Sequence, residues 1–176
     1  MTDSAMQQPI LVIMGVSGSG KSTVAEALST KLGWDFAEGD AMHPQSNVDK
    51  MAAGIPLDDD DRWPWLEKVA AWIRGHTEHG RPGIVTCSAL KHAYRDVLRG
   101  PDVVFVHLRG EAELIGERIS HRTGHFMPST LLASQLATLE PLGDDERHII
   151  VDAGREPAVE VADIIRKLGL PPVAQG

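Results

Sequence analysis

Residues 10–22 read ILVIMGVSGSGKS and are the most informative stretch of the chain. The apolar run 10–14 predicts a buried strand, and residues 15–22 match the G-x-x-x-x-G-K-S pattern of a phosphate-binding loop that opens a helix. Such a loop needs glycine because backbone N–H groups must converge on phosphate oxygens at angles that other residues rarely adopt. Lys21 is suited to bind the β- and γ-phosphates, and the Ser22 hydroxyl is suited to ligate Mg²⁺. The stretch therefore predicts a nucleoside triphosphate site.

The composition limits the partners of the chain. Its 176 residues carry a formal net charge of −8 at pH 7, which argues against nucleic acid or an anionic membrane surface as the main partner. The single cysteine excludes an internal disulfide and fits a reducing cytoplasm. No stretch approaches the roughly 18 apolar residues of a membrane span. We therefore expect one cytoplasmic domain over residues 1–176, with flexible ends at 1–8 and 170–176.

Apolar runs alternate with amphipathic stretches along the rest of the chain. The runs predict strands at residues 10–14, 35–38, 83–87, 103–108 and 148–151. Helices are predicted at residues 22–32, 44–53, 90–98, 111–121, 128–139 and 157–168, and another follows the acidic run 58–61 and extends to residue 76. Because the strands are apolar throughout, the pattern predicts a doubly wound α/β fold: a five-stranded parallel sheet with helices on both faces. The nucleotide is expected at the carboxyl ends of the strands.

The acids at the strand ends narrow the class of phosphate-loop protein. The strand near 83–87 ends in Cys87-Ser88, where many of these proteins place an Asp that helps to hold Mg²⁺. No Asn-Lys-x-Asp signature or Asp-x-x-Gly switch occurs, which counts against a GTPase. The acid at a strand end is Asp40, one strand over from the loop, where a carboxylate can serve both the metal shell and an acceptor hydroxyl. The alternative for Asp40 is a helix N-cap or a turn residue after Gly39.

Four further stretches give the chain its resemblance to a known family. They are EGDAMHP at 38–44, PLDDDDRWPWL at 56–66, CSALKHAYRDVLR at 87–99 and GHF at 124–126. In this order, and together with the phosphate loop, they resemble the landmarks of the gluconokinases over about residues 10–168. The resemblance implies phosphorylation of D-gluconate at its 6-hydroxyl by ATP, a homodimer, and a fold related to those of shikimate and adenylate kinases.

The nucleotide half of the site combines the loop with residues implied by the resemblance. The expected nucleotide-binding residues are Gly15, Val16, Ser17, Gly18, Ser19, Gly20, Lys21, Ser22, Thr23, Arg118 and Arg155. Arg118 and Arg122 would lie at the base of a mobile lid, residues 123–138, that closes over ATP and neutralises the transferred group. A cation favoured at a helix C-terminus explains either arginine alone nearly as well, but the two together before a break that contains glycine favour the lid. Arg155 follows the last strand and would border the adenine.

The catalytic residues are expected to be Lys21, Asp40, Arg118 and Arg122, with Mg²⁺ held by Ser22 and Asp40. Phosphoryl transfer depends on positioning and charge stabilisation, so cations, a metal site and an aligned hydroxyl are the parts required. Asp40 either orients or deprotonates the 6-hydroxyl, and the residues alone leave both roles open.

The acceptor half needs at least one cation, because gluconate carries a carboxylate beside its hydroxyls. By resemblance the cation candidates are Arg62, Lys91 and Arg95. Lys91 and Arg95 are four residues apart on a predicted helix and hence on one face, although solvated surface cations would show the same spacing. His43 is a candidate hydroxyl partner or, alternatively, a histidine at a helix start or on the surface. His125 is expected to lie on the lid and touch substrate.

Other interpretations stay open at this stage. The acidic run 58–61 is explained by favourable charges at a helix N-terminus and is not assigned a catalytic role. Cys87 is expected to be a small packed residue. The alternatives to a gluconokinase are another small-molecule kinase, such as a shikimate kinase-like enzyme, and a nucleotide-dependent regulatory module that transfers nothing.

Overall fold

The computed structural model describes residues 9–15, 20–55, 57–109, 139–153 and 155–170. The helices predicted at 111–121 and 128–139 lie outside these ranges, apart from residue 139. The predicted lid and the two terminal segments lie outside them as well, apart from residue 170. Within the described ranges, every helix is too short or too polar to cross a membrane.

A parallel sheet of five strands forms the centre of the fold. The strands are β1 (Ile10–Met14), β2 (Asp35–Glu38), β3 (Gly83–Thr86), β4 (Val103–Arg109) and β5 (His148–Asp152), in the order β2-β3-β1-β4-β5. All neighbouring strands run parallel, which confirms the predicted sheet. Their carboxyl ends therefore meet at one edge. Because β3 lies between β1 and β2, one whole strand separates the end that carries Asp40 from the strand that feeds the phosphate loop.

Helices cover both faces of the sheet, as predicted. The described helices are α1 (Lys21–Leu32), α2 (Gln45–Ala52), α3 (Asp59–Glu78), α4 (His92–Leu98) and α5 (Pro157–Leu168). Residues of β1 alternate between the two cores: Ile10, Val12 and Met14 pack with α3 and α4, whereas Leu11 and Ile13 pack with α1 and α5. Every residue of β1 is fully buried, which explains its continuous apolar run.

Two local expectations need correction. Leu170, which the sequence analysis assigns to a flexible tail, is only 5% exposed and packs in the core formed with α1 and α5. The helix predicted from residue 90 begins at His92, and Lys91 is its extended N-cap residue. Lys91 and Arg95 consequently do not share the helix face that their spacing predicts.

The acidic run 58–61 forms the N-terminus of α3, as expected. Asp58 is the N-cap residue, and Asp58 and Asp61 each accept a hydrogen bond from the other's backbone N–H at 2.8 and 3.0 Å. Asp61 also pairs with Lys50 at 2.8 Å, which links α2 to the start of α3. These contacts fix the beginning of α3 against α2.

Gly39 sits where β2 approaches β3 too closely for a side chain. Its N–H donates to Thr86 Oγ1 at 3.0 Å, and its carbonyl accepts from Trp65 Nε1 at 2.8 Å. A Cβ atom at this position would lie 1.8 Å from the Thr86 carbonyl oxygen. The close approach sets the 3₁₀ turn Gly39–Met42 against the end of β3, and the backbone of Asp40 belongs to this turn.

Gly39→Ala should lower the free energy of unfolding by about 2–3 kcal/mol, because a backbone carbonyl cannot move aside as a side chain can. Urea denaturation followed by circular dichroism measures this loss. Gly75→Ala is the matched control: an added Cβ there meets no atom within 4 Å, and replacing glycine inside a helix should raise stability by about 0.5–1 kcal/mol. Equal effects of the two substitutions would contradict the packing argument.

Candidate active site

The described ends of the phosphate loop have the backbone that the motif predicts. Gly15 has φ 148° and Gly20 has φ 95°, both in the region that favours glycine, while residues 16–19 lie outside the described ranges. Gly20 is the N-cap residue of α1, and the first turn of that helix contains no acidic residue. The positive end of the helix dipole is therefore not neutralised within its own first turn, which suits the binding of phosphate there.

Lys21 is buried at the start of α1, whereas the next two residues are exposed. Its side chain is 8% exposed, and Nζ donates to the Gly15 carbonyl at 3.0 Å. Ser22 and Thr23 are exposed in the first turn of α1. A hydroxyl oxygen beside a phosphate loop is a ligand type that Mg²⁺ accepts, so the position of Ser22 fits the predicted metal site.

The segment after β3 joins the phosphate loop to the acceptor half. The Gly15 N–H donates to the Ser88 carbonyl at 3.4 Å, and the Cys87 N–H donates to the Ile13 carbonyl at 3.0 Å. Cys87 is fully buried, which confirms its predicted packing role. Ala89 adopts φ 48°, a left-handed conformation that is strained for a residue with a Cβ. The strained turn directs the chain from the end of β3 towards Lys91 and α4.

Arg95 does not face the expected substrate site. Its side chain is fully buried, and Nε donates to Glu146 Oε2 at 2.5 Å. The two terminal nitrogens donate to Glu146 Oε1 and to four backbone carbonyls, those of Ala89, Leu90, Glu140 and Pro141. All of its N–H groups are thus directed at protein acceptors, and this arrangement leaves none for a substrate carboxylate. The expectation that Arg95 binds substrate is wrong for this structure, since sequence spacing does not reveal the buried partner Glu146.

The Arg95–Glu146 pair fastens residues 139–147 to the segment after β3. Burial raises the pKa of the Glu146 carboxyl, but hydrogen bonds from Arg95 and from the Gly143 N–H outweigh that effect, so the pKa is lowered overall. The Glu140 N–H donates to the Leu90 carbonyl at 2.7 Å, beside this pair. One buried charge pair therefore holds two separate backbone segments, residues 89–90 and 140–141, next to each other.

Arg62 and Lys91 meet in a cluster around Tyr94. Arg62 Nη1 donates to the Tyr94 hydroxyl at 2.7 Å, and that hydroxyl donates its own proton to Asp59 Oδ1. Lys91 Nζ donates to the same carboxylate at 3.1 Å. The cations also lie 5.3 and 5.6 Å from the centre of the Tyr94 ring. We call Asp59, Arg62, Lys91 and Tyr94 the Tyr94 cluster.

Sequence reasoning missed Asp59 and Tyr94. Asp59 stands in the run 58–61 that a helix N-terminus explains, and Tyr94 stands in a stretch quoted only for its resemblance. The signal available in the sequence was a tyrosine between two cations, Lys91 and Arg95, because a tyrosine hydroxyl that becomes buried requires a hydrogen-bonding partner. The partner, 35 residues away in the chain, is visible only in the fold.

The contacts within the Tyr94 cluster keep it charged. Hydrogen bonds from Tyr94 and then Lys91 lower the pKa of the Asp59 carboxyl. The pKa of Lys91 is raised, chiefly by its hydrogen bond to Asp59, and the pKa of the Tyr94 hydroxyl is raised by burial and by Asp59. At neutral pH the cluster therefore holds an ionised Asp59, a neutral Tyr94 and two cations.

His43 lies between the 3₁₀ turn and α3. Its ring stacks on Trp65 with centroids 4.0 Å apart and planes 18° apart, and its Nδ1 lies 3.1 Å from Asn47 Nδ2. Asn47 is buried and also donates to the Asp61 carbonyl at 2.8 Å. His43 is thus oriented by packing from α2 and α3, immediately after the turn that contains Asp40.

The structure brings one group of the predicted site residues to the carboxyl edge of the sheet. This group comprises Lys21, Ser22, His43, Arg62, Lys91 and the backbone of Asp40. Arg155 is exposed after β5, and its N–H donates to Glu160 at 3.4 Å. The structure does not describe the side chain of Asp40. Seven other predicted site residues also lie outside the described ranges: Val16, Ser17, Gly18, Ser19, Arg118, Arg122 and His125.

Comparisons with known proteins show what the whole chain is similar to. A family model described as an AAA domain (AAA_33) matches residues 10–142. A gluconokinase from Gluconobacter oxydans is 49% identical over 167 residues, which covers 94% of each chain. The structure of a gluconokinase from Sinorhizobium meliloti superimposes with a TM-score of 0.81 at 47% identity, covering 93% of each chain. A sugar kinase structure from Janibacter superimposes with a TM-score of 0.88 at 48% identity, covering 94% of this chain and 96% of the other.

Arg95→Met should lower the free energy of unfolding by about 3–5 kcal/mol, because it leaves the buried Glu146 carboxylate without its cation. Urea denaturation measures the effect. Arg99→Met, one turn further along, removes a half-exposed guanidinium that pairs with Asp96 and Asp145 and should change stability by less than about 1 kcal/mol. A stable Arg95→Met variant with a raised KM for the acceptor would return Arg95 to the substrate site.

Proposed function

This chain belongs to the gluconokinase family, and we propose that it transfers the γ-phosphoryl group of ATP to the 6-hydroxyl of D-gluconate. The products are ADP and 6-phospho-D-gluconate. The similarity to gluconokinases along almost the whole chain carries this proposal. Two observations support it: Gly15 and Lys21, at the two ends of the phosphate loop, are joined by a hydrogen bond, and a polar cluster with two cations lies at the same edge of the sheet.

The donor half is built around the phosphate loop. Lys21 and the backbone N–H groups of residues 15–20 bind the β- and γ-phosphates of ATP, with Thr23 adjoining in the first turn of α1. Mg²⁺ supplies charge neutralisation at the phosphates when bound, and the Ser22 hydroxyl and the Asp40 carboxylate are the groups proposed to hold it. Arg118 and Arg122 stabilise the charge of the transferred group, with Arg118 also in contact with the nucleotide, and Arg155 borders the adenine.

The acceptor half positions gluconate for in-line attack. The oxygen of the 6-hydroxyl forms a bond to the γ-phosphorus while the bond from that phosphorus to the β,γ-bridging oxygen breaks. Asp40 orients the hydroxyl or takes its proton, and His43 and His125 contact substrate hydroxyls. The cations proposed for the acceptor site are Arg62 and Lys91, because Arg95 is engaged by Glu146.

The assembly and location of the enzyme are part of the same proposal. A homodimer in the cytoplasm follows from the family resemblance and from the single cysteine. Trp63, an exposed aromatic residue near the start of α3, is the residue proposed for a subunit contact. Light scattering of the purified chain measures its mass in solution.

A coupled assay of ADP release tests the activity directly. Gluconate, shikimate and AMP are offered separately as acceptors with ATP and Mg²⁺, and we expect turnover with gluconate alone. Turnover with only shikimate or AMP would contradict the proposed substrate. If no acceptor raises ADP release above the basal rate, the chain is a nucleotide-dependent module and not a kinase.

Asp40→Asn should lower kcat by about 10²–10⁴-fold while leaving the KM for ATP close to that of the wild type. The amide is nearly isosteric with the carboxylate but can neither accept the proton nor contribute a negative charge. Steady-state kinetics with gluconate measure both constants. Asp60→Asn, which changes an exposed acid in the first turn of α3, is the control and should leave kcat unchanged. A near-normal kcat in Asp40→Asn would remove Asp40 from the mechanism.

A further inference from the structure

The two cations of the Tyr94 cluster differ in how far a neighbouring carboxylate neutralises their charge. Lys91 and Asp59 form an ion pair at 3.1 Å, so their charges largely cancel towards a third group. Arg62 donates to a neutral hydroxyl, and among the described residues it has no ion pair with a carboxylate. The net positive charge of the cluster therefore resides on Arg62, which is half-buried in the first turn of α3.

A chain of hydrogen bonds sets the position of Arg62. A tyrosine hydroxyl has one proton, and in this cluster Tyr94 directs it at Asp59. The lone pairs of the Tyr94 oxygen are thus turned to Arg62 Nη1 at 2.7 Å. One edge of the guanidinium is held in this way, and a planar fork of N–H groups is the geometry that binds a carboxylate in two places at once.

We propose that Arg62 alone binds the carboxylate of the substrate, that Lys91 and Asp59 act together as a neutral pair facing its hydroxyls, and that Tyr94 is a positioning residue for Arg62. This assignment rests on the proposed function and deepens it. It separates recognition of the acid group from recognition of the polyol chain. An ordinary pair of substrate-binding cations would instead share the carboxylate.

In a competing arrangement, Lys91 and not Arg62 would bind the substrate carboxylate. If the substrate carboxylate displaced Asp59, it would accept hydrogen bonds from Lys91 and Tyr94, and Lys91 would then discriminate for the acid group. The two arrangements differ in which cation distinguishes a carboxylate from a neutral group of the same shape. D-gluconamide supplies that neutral group and keeps the 6-hydroxyl.

The test is the ratio of kcat/KM for gluconate to kcat/KM for gluconamide in matched variants. Arg62→Gln should lower this ratio by about 10- to 100-fold, the usual effect of removing a hydrogen bond between charged groups. Lys91→Gln should lower kcat/KM for both acceptors and change the ratio by less than about threefold. Tyr94→Phe should lower the ratio in the same direction as Arg62→Gln, whereas loss of folding alone would lower kcat/KM for both acceptors and leave the ratio unchanged. Arg74→Gln, an exposed arginine on α3, is the control.

Arg62→Lys keeps the charge without the planar fork. If circular dichroism shows that Arg62→Gln folds poorly, Arg62→Lys is used for the comparison. It should lower the ratio by less than Arg62→Gln. A ratio that falls in Lys91→Gln but not in the Arg62 variants would overturn the assignment, and so would equal falls in both. Absence of gluconate turnover in the wild type would instead contradict the proposed function, so the two failures are distinguishable.

Discussion

Burial of the Arg95 charge is the constraint that organises the carboxyl edge of this fold. A guanidinium out of water is stable only when its N–H groups are all satisfied, and here they reach Glu146 and four backbone carbonyls. Those carbonyls belong to two separate segments, residues 89–90 and 140–141. The segment that leads from β3 to α4 is thus held firmly, and it carries Lys91 and Tyr94 into the site.

The parallel sheet supplies the second constraint, because it places every strand end on one side. Gly15 at the end of β1 donates to Ser88 after β3, and Gly39 after β2 donates to Thr86 within β3. β3 therefore stands between the phosphate loop and the turn that contains Asp40. The end of β3 itself contributes no acid, and Gly39 packs directly against the Thr86 carbonyl of this strand.

Tyr94 connects the hydrophobic core to the charged side chains of the Tyr94 cluster. The Tyr94 ring belongs to the core between the sheet and α3, while its hydroxyl lies among Asp59, Arg62 and Lys91. A side chain with an apolar body and a polar end is suited to such a boundary. The orientation of these two cations consequently depends on the packing of the core.

The amino-acid sequence alone was enough to predict the strands, the phosphate loop, the described helices and the fold class. Each of these depends on local periodicity or on a glycine required at a particular backbone angle. The cations of the acceptor half were named only through the family resemblance, and their partners were not predicted at all. Arg95 pairs with a residue 51 positions away, and Lys91 with one 32 positions away. Only the folded chain assigns one cation to the core and another to a neutralised pair, because ion pairs are formed by distance in space and spacing along a helix reports only on near neighbours.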